Sequence, residues 1–334
     1  MNESNLNKST VIVVLGMHRS GTSVLTRALS ELGVYLGGNL MEGLPDNPKG
    51  FYEDVDVVSL NDEILRSVSS EWNSTIFHQV SDDLMREFKQ RAINIIVSKF
   101  NGHALFAVKD PRITMLQYFW RSVFDELGIC MRYILANRHP FSVAESLVKR
   151  NEMHRNVGLV LWLKHQVAGM NTILDQGGLV VNYEQFLENP GAVLANINIF
   201  LGSPLSDVEI TRSEFISSFI DVDLCHHGFG DVKAFNSESG LEVVCSDLYQ
   251  LIAGLRGVIQ GDRIDNSERH DLKCKLDGFE IYINEKNEFL DVIDSLSSEN
   301  SSLKIKLKES IRKFNRSQPY YKKIYWYMCK KMGA

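Results

Sequence analysis

The stretch Val11-Ile-Val-Val-Leu-Gly-Met-His-Arg-Ser-Gly-Thr-Ser-Val-Leu25 decides how the rest of the chain is read. Val11 to Leu15 are apolar and mostly β-branched, the pattern of a short buried strand. A turn bracketed by Gly16 and Gly21 follows, carrying Arg19 and Ser20. From Thr22 to Leu32 the residues Val24, Leu25, Ala28, Leu29 and Leu32 recur at helical spacing. A strand that feeds a glycine-bracketed turn into a helix aims backbone N–H groups and a positive helix end at an anion, typically a phosphate. The hydroxyls of Ser20, Thr22 and Ser23 add donors at the helix start.

Outward from this unit the pattern alternates. Residues 33–52 are rich in Gly, Asn and Pro and read as a loop over the mouth of the fold. Helical spacing covers 55–65 and 84–100, and Ala104 to Val108 is a second buried strand ending in Lys109-Asp-Pro-Arg112. A helix over 115–127 leads to a third strand, 131–136, which ends in Asn137-Arg-His-Pro140. Helices over 141–150 and 157–174 precede a fourth strand, 178–183. This alternation predicts an α/β fold: a three-layer parallel sheet with helices on both faces, plus a C-terminal helical extension. Sites in such sheets lie beyond the carboxyl ends of the strands, where three polar clusters fall here.

Beyond residue 203 the pattern weakens, with a surface loop expected at 229–235 and a helix over 241–259. We divide the chain into a main domain (1–265), a helical or short coiled-coil extension (266–315) and a basic aromatic tail (316–334). Phe289, Leu296 and Leu303, with Ile293, Asn300 and Leu307 between them, give about three heptads with one polar position. In the tail, Arg316, Lys322, Lys323, Lys330 and Lys331 interleave with Tyr320, Tyr321, Tyr325, Trp326 and Tyr327. Such a segment suits either a membrane interface or docking on a partner or on the core. Residues 270–334 are therefore the expected contact surface for a membrane or a protein partner, a homodimer included.

Composition narrows the function. A net charge of −6 over 334 residues argues against a nucleic-acid binder. Residues 1–10 lack the apolar core of a signal peptide, and no apolar run is long enough to span a bilayer. The five cysteines are scattered, without a zinc-type cluster, which fits reduced thiols in a cytoplasm. Histidines 139, 154, 165, 226 and 227 are given no role, and Trp120 and Trp162 fall on apolar helix faces and read as core.

The loop has the spacing of a Walker A motif, G-x-x-x-x-G-K-[ST], with Thr22 where the lysine belongs and a cation, Arg19, inside the turn. Gly16-Met-His-Arg-Ser-Gly-Thr-Ser23 instead resembles the phosphosulfate-binding loop of the sulfotransferases, which use 3′-phosphoadenosine 5′-phosphosulfate (PAPS). That family's second signature, an arginine at a strand end and a serine eight residues on, is matched by Arg138 and Ser146. Asn182-Tyr-Glu-Gln-Phe-Leu-Glu-Asn-Pro190 is similar to a third family segment, whose tyrosine lies near the adenine. Asn47-Pro-Lys-Gly-Phe-Tyr-Glu53 together with Lys109-Asp-Pro-Arg112 looks like the bacterial branch. The resemblance covers about residues 9–200.

The resemblance implies a donor site formed by His18, Arg19, Ser20, Gly21, Thr22 and Ser23 for the phosphosulfate, Arg138 and Ser146 for the 3′-phosphate, and Tyr183 near the adenine. It implies release of adenosine 3′,5′-bisphosphate and no metal. A donor with two anionic ends calls for two separated clusters of cations and hydroxyls, and arginine's planar fork suits a phosphate. Arg19 is expected to stabilise the leaving phosphate, and Lys109 to sit near the transferred sulfate. An acceptor hydroxyl needs a general base. Glu53 is favoured, because it follows a mobile-looking turn able to reach the mouth; Glu42 and His18 are rivals. Asp110, between Lys109 and Arg112, reads as an orienter. The acceptor suggested by the bacterial motifs is a saccharide or glycolipid. Two alternatives stand beside this reading: a P-loop nucleotide kinase or NTPase, opposed by the missing lysine, and a non-catalytic scaffold of a glycan-assembly complex.

Overall fold

The computed structural model describes residues 5–44, 47, 50–75, 81–202, 240–255, 258–259 and 266–299. The expected loop at 229–235, the later heptads and the basic aromatic tail lie outside these residues, as do the side chains from 285 onward.

Four parallel strands form the sheet: β1 (Thr10–Leu15), β2 (Leu105–Lys109), β3 (Cys130–Asn137) and β4 (Gly178–Asn182). Their order is β2-β1-β3-β4, and a two-residue strand, β5 (Val258–Ile259), joins β4 antiparallel at the edge. Ten helices are described: α1 (Thr22–Glu31), α2 (Val55–Ser67), α3 (Asp82–Phe100), α4 (Gln117–Glu126), α5 (Pro140–Asn151), α6 (Arg155–Gln176), α7 (Tyr183–Glu188), α8 (Pro190–Leu201), α9 (Gly240–Ala253) and α10 (Asn266–Glu299).

β1 lies inside the sheet, between β2 and β3, and is apolar on both faces. Val11, Val13 and Leu15 point into one core with α2 to α6, α9 and α10. Ile12 and Val14 point into the other with α1, α7 and α8. This alternation is the two-residue period of a strand, with both faces covered. All five residues are at most 2% exposed, and burying each contributes roughly 1.5–3 kcal/mol. The register places Val14 beside Lys109, Leu15 beside Leu135 and Asn137 beside Asn182. The polar strand ends are thereby brought to one edge.

Two boundaries differ from expectation. Tyr183 does not extend β4; it opens α7, because Asn182 takes the extended N-cap position (φ −80°, ψ 121°) and redirects the chain. The helix expected over 241–259 stops at Ala253, and Val258–Ile259 pairs with Leu179 and Gly178. Its last residues are β-branched and meet a free strand edge, which overrides helical spacing. α10 lays Leu272, Leu276, Tyr282 and Ile283 into the same core as α6, and Asn171 on α6 donates to Glu280 at 2.6 Å and accepts from Lys273 at 2.9 Å.

Candidate functional site

The loop after β1 is held by its glycines and by the elements beneath it. Gly16 has φ +139°, and a Cβ there would meet Ala136 O at 3.0 Å and Thr22 Cγ2 at 3.1 Å. Its N–H donates to Thr114 Oγ1 at 2.9 Å. Gly21 has φ +86°, and a Cβ there would fall 2.3 Å from the Tyr183 ring. Only glycine serves at either position. The Tyr183 ring therefore packs closely against Gly21 at the start of α1, which its place at the first residue of α7 makes possible.

Arg138 directly follows the last residue of β3, and Pro140 at the first helical position starts α5 two residues on. Ser146, two turns along, is carried back toward the loop. Arg138 donates to Arg19 O at 2.9 Å, and its guanidinium stands 4.5 Å over the Tyr183 ring. The Arg19 side chain in turn donates through Nε to Ser146 Oγ at 2.8 Å. Arg19 holds φ +69°, rare for a residue with a side chain. The two clusters expected to be separate are joined through Arg19 into one continuous wall. Trp162, read from the sequence as core alone, donates from Nε1 to Arg138 O at 2.9 Å and so fixes the strand end as well.

Two buried polar atoms in the loop have no hydrogen-bond partner among the described residues: Ser20 Oγ and His18 Nε2. Such groups are costly unless a ligand or water completes them. The His18 ring stands 4.6 Å from that of Trp72. Burial, followed by the charge of Arg112, holds its pKa well below the ordinary histidine value. Neutral at physiological pH, it can accept a proton only weakly. Trp72, in the segment after α2, carried no motif and was invisible to sequence reasoning. Thr22 is buried, with its methyl against Gly16. Ser23 Oγ donates to Phe51 O at 3.3 Å.

Behind the loop lies a buried ionic network. Lys109, at the end of β2, donates from Nζ to Glu53 Oε1 at 2.5 Å, Phe51 O at 2.9 Å and Ser23 Oγ at 3.3 Å. Glu53 is 4% exposed. The expectation that Glu53 reaches the mouth from a mobile turn is thus corrected. It is a fixed floor residue, because Met41 N–H binds its carbonyl at 2.8 Å and Lys109 binds its carboxylate. Burial pushes its pKa up from the ordinary carboxylate value, against the pull of Lys109. Its neighbour Asp54 caps α2, accepting from Asp56 N and Val57 N, and pairs with Lys99 at 2.7 Å.

Arg112 pairs with Asp62 at 2.7 Å and Asp110 at 2.8 Å, and its guanidinium reaches Glu53 at 4.0 Å. Asp110, fully buried, also accepts from Asn61 Nδ2 at 2.8 Å, and Trp120 Nε1 donates to Asn61 Oδ1 at 2.8 Å. Asp110 is thus committed to structure on all sides. Glu42 is exposed and has no ion pair among the described residues. Of the candidates for the base, only Glu53 and His18 belong to the assembled site.

Among the described residues no three His, Cys, Asp or Glu side chains gather as a metal ion would require, and no helix is long and apolar enough to cross a membrane. No protein-family model and no curated protein sequence matches the chain. Solved structures similar to it include two sulfotransferase domains and retinol dehydratase. The sulfotransferase domain of the Synechococcus PCC 7002 olefin synthase shares 17% identity over 77% of this chain and 98% of its own, with TM-score 0.43. The sulfotransferase domain from the curacin biosynthetic pathway shares 18% over 60% and 76%, with TM-score 0.39. Retinol dehydratase, in complex with androsterone and the inactive cofactor PAP, shares 13% over 66% and 67%, with TM-score 0.33.

Proposed function

We propose that this protein transfers a sulfuryl group from PAPS to a hydroxyl, or an amine, of a saccharide or glycolipid. The observation that carries this reading is the junction of the loop with Arg138, Ser146 and Tyr183, which the sequence separates by more than a hundred residues. A kinase of the P-loop type has no use for that wall. PAPS presents a 3′-phosphate and a phosphosulfate, and both chemistries find donors: Arg138, Ser146 and Arg19 on one side, the loop amides, Ser20 and Ser23 on the other. The glycine cradle and the unpartnered Ser20 hydroxyl fit an anion held against backbone.

PAPS, when bound, supplies an activated sulfuryl group on a phosphate leaving group. The protein's own residues position and neutralise. Arg138 is preset by the Trp162 N–H and by the Tyr183 ring, so its fork meets a phosphate with little ordering cost. Arg19 stands between the two anionic ends and stabilises charge on the leaving oxygen. Lys109 neutralises the sulfuryl oxygens from the end of β2. Glu53 takes the acceptor proton as the acceptor oxygen bonds to sulfur and the bond to the leaving phosphate breaks; its raised pKa brings it closer to the range of an effective base.

The saccharide or glycolipid acceptor rests on the resemblance of residues 47–53 and 109–112 to bacterial sulfotransferases. With it go a cytoplasmic location and a membrane or protein contact through residues 270–334. Incubation with radiolabelled PAPS and a panel of glycans, glycolipids and phenols tests the reading. Label on a glycan or glycolipid supports it, label on phenols alone overturns the acceptor class, and no transfer to any acceptor overturns the activity.

A further inference from the structure

Glu53 lies between two cations that the structure treats differently. Arg112 is anchored: Asp62 holds it from α2 and Asp110 from the end of β2, and Asp110 is itself fixed through Asn61 to the Trp120 indole. Its guanidinium stops 4.0 Å from the Glu53 carboxylate. Lys109 is not anchored in that way. Its ammonium has three donors, and all three go to groups of the loop and of the segment before α2: Ser23 Oγ, Phe51 O and Glu53. One of them, Ser23, stands at the start of α1, where an anion on the loop is received. A lysine ammonium is a point charge on a flexible stem and can change partner, whereas an arginine locked by two carboxylates cannot.

We propose that the two cations divide the work on Glu53: Lys109 leaves the carboxylate for the anionic end of the donor, and Arg112 is the positioning residue that keeps the carboxylate oriented once Lys109 has turned away. This rests on the reading of the site as a PAPS site. The consequence is a coupling between donor and base. In the free protein Lys109 holds Glu53 as a paired, weak base. With Lys109 drawn to the sulfuryl oxygens, Glu53 faces only Arg112 as cation, Asp110 as a neighbouring anion, and its own burial. Loss of the Lys109 charge and hydrogen bond leaves burial and Asp110 opposed by Arg112 alone, which raises the affinity of Glu53 for a proton, so the acceptor hydroxyl is activated when a donor is in place and not before.

The coupling is read as protons, without turnover. Titration calorimetry with PAPS in two buffers of different ionisation enthalpy, at one near-neutral pH, gives the protons taken up on binding. Wild type is expected to take up a fraction of a proton more than Glu53→Gln. Lys109→Met is expected to lose that excess, because its Glu53 has no Lys109 to surrender; it also serves as the second reference should Glu53→Gln fail to fold. Arg112→Gln is expected to enlarge the uptake, a change that loss of a merely structural residue does not produce. Equal uptake by wild type, Glu53→Gln and Lys109→Met overturns the exchange of partners. Unchanged uptake in Arg112→Gln overturns the positioning role. Absence of PAPS binding by the wild-type protein overturns the donor assignment itself, and is recognised by the absence of binding heat in both buffers.

Discussion

Replacing Arg138 with alanine separates this site from that of any ordinary nucleotide-binding loop. Among the described residues the side chain makes a hydrogen bond to Arg19 O at 2.9 Å and a stack 4.5 Å over Tyr183. Losing them costs about 0.5–1.5 kcal/mol for the hydrogen bond and about 0.5–2 for the stack. The fold should therefore survive, with stability lower by about 1–3.5 kcal/mol. Toward ligand the loss is specific. A charge-assisted bond contributes about 1.5–3 kcal/mol, and 1.4 kcal/mol is a factor of ten in affinity. Adenosine 3′,5′-bisphosphate should thus bind the variant roughly 10- to 150-fold more weakly. Adenosine 5′-phosphate, which lacks the 3′-phosphate that we assign to Arg138, should change little. Titration calorimetry of both ligands against both proteins measures the difference. Arg138→Lys should recover only part of the loss, since an ammonium restores the charge without the fork. Equal losses for the two ligands would remove Arg138 from the 3′-phosphate and refute the reasoning.

Other perturbations follow from the same geometry. Gly21→Ala places a methyl 2.3 Å from the Tyr183 ring at φ +86°, so denaturant unfolding should show a loss of about 2 kcal/mol or more together with weaker bisphosphate binding; an unchanged midpoint would contradict the close approach. Trp162→Phe keeps the ring and removes the N–H that fixes Arg138 O, which should lower stability by about 0.5–1.5 kcal/mol and weaken the bisphosphate more than adenosine 5′-phosphate. Burial lowers His165 from the ordinary histidine value to about 4, so the unfolded chain binds more protons between about pH 4 and 6.5. Stability should accordingly be fully present above that window and fall by about 3 kcal/mol as pH drops through it, and His165→Asn should flatten this slope in thermal melts across pH.

Much of the site was legible in the sequence because local rules carry it. The β-branched run, the paired glycines and the proline after Arg138 each fix backbone direction within a few residues, and together they bring Arg19, Arg138, Ser146 and Tyr183 to one edge. The base was read less well. Glu53 follows a turn rich in Gly and Pro, and nothing local shows that Lys109, 56 positions away, draws it into the interior. Trp72 and Asn61 were missed for the same reason: an indole beside His18 and an amide between Trp120 and Asp110 are products of tertiary folding, without spacing or composition to announce them. The last strand failed differently. Val258 and Ile259 obey a helical pattern, but an open sheet edge decides their state.

We propose that the loop, with Arg19 inside it and no lysine after Gly21, serves a 3′-phosphorylated donor and not a nucleoside triphosphate. Calorimetric titration of the full chain with adenosine 3′,5′-bisphosphate and, separately, with ATP–Mg tests it most directly. Tight binding of the bisphosphate with little or none of ATP–Mg is expected; tight binding of ATP–Mg with none of the bisphosphate would overturn the donor assignment.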